Sequence, residues 1–172
     1  MKISYLREIL LLAALILLQV LLLSRINLFG YATPVLYSYF LLKLPVGRNV
    51  FFVIISAFMM GFIIDIFLNT PGMNAAAITI VAAFQRNIRN LFFDRNEYEE
   101  YIPSIYTATG AFIRFTVFVV SLHITLLFFI ESFTLFNLIN TLLRIVTSTA
   151  LSIILMIAID GLMYREKLSE QA

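Results

Sequence analysis

Four ionisable residues stand inside long apolar runs: Asp65, Arg114, His123 and Arg144. A charge at the middle of a membrane helix costs about 2.5–3.5 kcal/mol on insertion scales, so each should face protein or water. At about 1.5 Å of rise per residue, Asp65 stands roughly 22 Å along its run, counted from Val50. Arg114 is roughly 15 Å from Ser104, and Arg144 roughly 13 Å from Leu135. These depths predict an intramembrane polar centre in which Asp65 accepts hydrogen bonds from Arg114, Arg144 or both. The structural alternative is that these residues hold the bundle together, or that Arg114 and Arg144 reach a partner helix. His123 and Glu131, eight residues apart, are one imidazole and one carboxylate, far short of a four-ligand metal site. His123 is expected instead at the outer interface.

Catalytic patterns are missing. There is no Gly-x-Ser-x-Gly, no phosphate-binding glycine loop and no His-Glu-x-x-His. The chain has no cysteine, which excludes a disulfide, a thiol nucleophile and a Cys-based metal site. Intramembrane proteolysis would need a second carboxylate beside Asp65, and Asp160 falls at the opposite boundary. The expectation is a protein that is not an enzyme and holds no cofactor.

The elements that must carry these residues follow from composition. Of 172 residues, 62% are hydrophobic and 13% charged, with mean hydropathy +0.98. Soluble domains run about 45–50% apolar and about 25% charged, so a soluble monomer and a disordered chain are both excluded. The reading is one integral membrane domain over residues 1–172, all-α, with six transmembrane helices. The first is Tyr5 to Ser24, kept as an uncleaved helix because Ser24-Arg25-Ile26 offers no small-x-small cleavage site. The second, Leu28 to Leu44, is barely adequate, and Gly30 and Pro34 give it an irregular start. Val50 to Leu68 is the third, and Asn69-Thr70-Pro71-Gly72 is a turn signal. The fourth is Met73 to Phe84, extendable to Thr70 and past Gln85; the fifth and sixth are Ser104 to Ile130 and Leu135 to Ile159.

Basic residues orient this parse. Lys2, Arg7, Lys43, Arg48, Arg86, Arg89, Arg95, Arg165 and Lys167 fall on one side, Arg25 alone on the other. The positive-inside rule therefore places both termini in the cytoplasm. With no Trp, interfacial anchoring falls to Tyr5, Tyr98, Tyr101, Tyr106 and Tyr164. Small residues read as packing positions: Ala57 with Gly61, Ser148 with Ser152, and the alanines of the fourth span.

Residues Gly61-Phe-Ile-Ile-Asp65-Ile-Phe-Leu-Asn-Thr-Pro71-Gly72-Met-Asn-Ala75 resemble the signature of the rod-shape-determining MreD family, a Gly-x-x-x-Asp helix end followed by a short outer turn and a small-residue helix. Asn27 to Pro34 is similar to that family's first outer loop. The resemblance implies a non-catalytic scaffold in the bacterial inner membrane, part of the elongation machinery that directs side-wall peptidoglycan synthesis. It implies binding to the membrane helix of MreC, a single-span coiled-coil protein, and through it an indirect link between an MreB-like actin homologue and peptidoglycan synthases. Membrane lipids are partners, nucleic acid is not. Gly61, Asp65, Pro71 and Gly72 are the positions the resemblance carries over, as elements shaping the outer ends of helices three and four. A lipid-facing groove on the fourth span, at Ala76 and Ala83, is the expected partner-helix interface. The implied fold is also similar to the substrate-binding subunits of energy-coupling-factor vitamin transporters, which makes such a subunit the rival reading. Those subunits carry an Ala-x-x-x-Ala docking motif on helix one, and here Leu17 and Leu18 stand four residues after Ala13 and Ala14.

Overall fold

The computed structural model describes residues 5–26, 32–45, 47–93, 104, 109–132 and 138–169, with side chains given up to residue 162. The described chain is helical. α1 is Tyr5–Leu21, followed by a 3₁₀ turn at Leu23–Arg25; α2 is Tyr39–Lys43; α3 is Val50–Leu68; α4 is Met73–Phe92; α5 is Thr109–Glu131; α6 is Leu138–Ser169. Four segments are long and apolar enough to cross a membrane: Tyr5–Arg25, Val50–Leu68, Thr109–Glu131 and Leu138–Leu162. Their outward faces are apolar, as lipid requires: Leu6, Leu10 and Leu17 on α1, Phe51, Ile55 and Ile66 on α3, and Ile139, Val146 and Ile154 on α6 are all exposed. The chain is thus built as a multi-pass membrane protein.

The second segment departs from expectation. Only Tyr39–Lys43 is α-helical, five residues where a span needs about 20. Pro34 has no N–H to continue a helix, and the chain stays irregular up to Ser38. Residues 34–42 are nevertheless buried without interruption, with Tyr39, Leu41 and Leu42 at 0% exposure. This stretch is the centre of the bundle, and the helices wrap it. α4 also differs from the expected span. It has 20 residues, but Gln85, Arg86, Asn87, Arg89 and Asn90 make its second half polar.

Chain direction is readable from pairs of residues. Glu8 in the first turns of α1 forms a salt bridge with Arg48 just before α3, and the Tyr5 and Phe52 rings meet edge to face at 5.3 Å. The starts of α1 and α3 therefore sit together, the two helices run in the same direction, and the chain between them must return. Residues 32–45 make that return beside α6: Thr33 meets Ser148, Val35 meets Ser152, and Lys43 meets Asp160. At the same end, Phe93 at the close of α4 packs on Phe115 near the start of α5, ring centroids 5.7 Å apart. Lys43, Arg48, Arg86 and Arg89 gather there, which makes it the basic end of the molecule.

Inward faces follow helical spacing. On α3 these are Val53, Ala57, Met60, Gly61, Ile64 and Asp65; on α6 they are Thr141, Ile145, Ser148, Ser152, Met156 and Asp160. α3 packs on α4, α4 on α5, and α5 on α6.

Candidate functional site

The corner between α3 and α4 is built from the residues around Asp65. Asn69 takes a left-handed conformation (φ 55°) to end α3, and its N–H and that of Thr70 both donate to the Asp65 carbonyl. Gly72 precedes α4 at φ 76°, where a Cβ would be strained. Gly61 is required for a different reason. A Cβ there would lie 2.6 Å from the Cα and 2.7 Å from the N of Ala75, so only glycine lets the two backbones touch.

With the helices this close, the Asp65 carboxylate reaches the open N-terminus of α4. Its Oδ1 accepts from Thr70 Oγ1 at 2.7 Å, Asn74 N at 3.0 Å and Asn74 Nδ2 at 2.8 Å. Its Oδ2 accepts from Ala75 N at 2.9 Å. The carboxylate thus acts as a helix cap supplied by the preceding helix, with its charge at the positive end of the helix dipole. Asn74 passes the network on: Tyr37 Oη donates to Asn74 Oδ1 at 2.7 Å, and the Tyr37 ring stands edge to face on His123 at 5.0 Å.

This geometry replaces the expected polar centre. Asp65, Arg114 and Arg144 are not brought together, because Asp65 satisfies its oxygens on backbone and amide donors a few residues away. Arg144 Nη2 donates to Glu131 Oε1 at 3.0 Å, with the guanidinium 4.5 Å from the Phe128 ring centroid. Arg114 is exposed and its Nε donates to Gly110 O at 3.1 Å within its own helix. His123 is also elsewhere than expected. It is fully buried rather than interfacial, with neither ring nitrogen hydrogen-bonded. Among the described residues no group of three or more His, Cys, Asp or Glu could hold a metal.

A second polar system frames residues 32–45. Irregular backbone at membrane depth is tolerated only where protein satisfies its N–H and C=O groups. Gln19 of α1 does this with both ends of its amide: Nε2 donates to Pro34 O at 3.0 Å and Oε1 accepts from Leu36 N at 2.8 Å. From α6, Ser148 Oγ accepts from Thr33 N at 3.0 Å and Ser152 Oγ from Val35 N at 2.8 Å. From α4, Gln85 Nε2 donates to Leu41 O, and Arg89 Nη2 to Leu44 O at 3.3 Å. At the basic end Lys43 pairs with buried Asp160, which also accepts from Tyr39 Oη at 2.8 Å and Ser104 Oγ at 2.9 Å. The cavity beside Arg48, Gln85 and Arg89 is about 10 Å³, room for about one water.

Sequence reasoning did not find Gln19, Asn74, Gln85 or the Glu8–Arg48 pair, and it read Ser148 and Ser152 only as small. The available signal was Pro34: a proline inside a candidate span announces backbone that other segments must satisfy. Ala76 and Ala83 are exposed on α4, whereas Ala75, Ala77 and Ala82 are buried in the bundle. Pro71 is exposed at the turn. Of the tyrosines expected as anchors, Tyr5 is 54% exposed; Tyr98, Tyr101 and Tyr106 lie outside the described residues, as does the side chain of Tyr164. Comparison with protein-family models, with curated proteins and with solved structures returned no match for this chain.

Proposed function

We propose that the chain is a non-catalytic scaffold of the MreD type in the bacterial inner membrane, crossing it six times with both termini cytoplasmic. We count residues 32–45 and α4 as two further crossings beside the four apolar helices, because that alternation keeps the basic residues on one side. The scaffold holds the membrane helix of an MreC-like single-span coiled-coil protein, and so serves rod shape through side-wall peptidoglycan synthesis. One observation carries the binding role. The carboxylate of Asp65 and the amide of Gln19 are occupied by the fold itself, while α4 turns Ala76, Ile80 and Ala83 outward as a strip against which a helix backbone could pack. Three of the four residues carried over by the family resemblance have a structural task at the corner: Gly61 for close approach, Asp65 for the cap, Gly72 for the turn.

The test is purification of the tagged protein from its own membranes in mild detergent, with mass spectrometry of what accompanies it. Recovery of a single-span coiled-coil protein with wall-synthesis enzymes is expected. Ala76→Leu or Ala83→Phe should lower that recovery while leaving membrane insertion intact. Recovery of paired ATPase subunits or a bound vitamin would overturn the scaffold in favour of an energy-coupling-factor subunit, and unchanged recovery in both variants would remove the α4 strip as the interface.

A further inference from the structure

We propose that Arg114 forms a binding site for the phosphate headgroup of an anionic lipid at the basic end of the bundle. Arg114 lies on α5 five residues past Thr109, about 7–8 Å from the start of the helix, inside a segment apolar enough to span a membrane. Three other arginines end on protein acceptors: Arg48 on Glu8, Arg89 on Leu44 O, Arg144 on Glu131. Arg114 uses only Nε, on Gly110 O, and both Nη groups are without an acceptor among the described residues. An unpaired guanidinium facing hydrocarbon is costly, so it must find a counter-charge or leave the core.

The single bond it makes decides between a lipid and a neighbouring acidic helix. Nε is tied to the carbonyl one turn back, which drapes the side chain along α5 toward the basic end instead of out toward a neighbour. A snorkelling arginine this near the end of its helix meets the headgroup layer. Beneath it, no atom of the described residues lies within 4 Å of where a Cβ on Gly110 would stand. One turn above, exposed Val117 and Phe118 offer an apolar wall for an acyl chain, and Phe118 is braced by Phe92 of α4 at 5.8 Å. Two free Nη groups on a planar fork match two phosphate oxygens.

The experiment is native mass spectrometry of the full-length protein in maltoside micelles, titrated with phosphatidylglycerol or phosphatidylcholine of identical acyl chains. The wild type should prefer phosphatidylglycerol about fivefold, the ratio expected for one basic residue at an anionic surface. Arg114→Gln should bring the two lipids to parity, Arg114→Lys should retain part of the preference, and millimolar inorganic phosphate should not displace the lipid. An equal preference in wild type and Arg114→Gln would overturn the site. Displacement by inorganic phosphate would make it a soluble-anion site instead. Unchanged lipid preference in Arg114→Gln, with loss of a co-purifying protein, would reassign Arg114 to a partner helix.

Discussion

The corner at Asp65 and the frame around residues 32–45 solve the same problem in opposite ways. At the corner, one carboxylate serves the donors of a helix N-terminus, with four hydrogen bonds on two oxygens. Along 32–45, side chains from α1, α4 and α6 each serve one or two groups of a single irregular stretch. The corner concentrates its polar satisfaction in one residue. The frame distributes it over several. Single substitutions should therefore cost much at the corner and less along the frame.

Asp65→Ala should have the largest effect, about 3 kcal/mol or more, because it removes a cap and strands buried donors at once. Unfolding in mixed detergent titrations would measure it, and a loss under 1 kcal/mol would break the contrast. Gly61→Ala comes next at about 2–3 kcal/mol, since its Cβ meets backbone that cannot give way without parting α3 from α4. Gln19→Leu removes two bonds and should cost about 2 kcal/mol by the same titration. Ser152→Ala should cost only about 1 kcal/mol, and adding Ser148→Ala should roughly double the loss. A cost for Ser152→Ala equal to that of Asp65→Ala would show that the frame is not distributed. The charge swap Asp65→Arg with Arg144→Asp should fail to rescue either single variant, because each residue is satisfied elsewhere.

Much of this molecule can be read from its sequence, and the limits have physical causes. α3 is observed at Val50–Leu68, as the apolar run and the Asn-Thr-Pro-Gly turn predict, because a long span bounded by turn residues leaves little choice. Gly61 and Asp65 are likewise marked by their types. The partner of Asp65 was not legible: matching it to distant arginines overlooks that the backbone N–H groups of the next helix, nine and ten residues on, are donors without a side chain to announce them. Gln19 and the serines of α6 were illegible for a related reason. A lone polar residue in an apolar run shows that something must be satisfied, not which of the other segments holds it. The second segment is α-helical only at Tyr39–Lys43 rather than throughout, because its apolar residues face protein, a condition that composition cannot distinguish from facing lipid.

The most direct test of this architecture uses the absence of cysteine, which makes any engineered pair unambiguous. Val35→Cys with Ser152→Cys puts thiols on two neighbouring residues, the Val35 backbone N and Ser152 Oγ lying 2.8 Å apart. Oxidation in native membranes should cross-link them efficiently, with a cysteine at Leu41 inaccessible to a membrane-phase maleimide. Failure to cross-link, together with labelling at position 41, would show residues 32–45 to be a lipid-facing helix and would contradict the account.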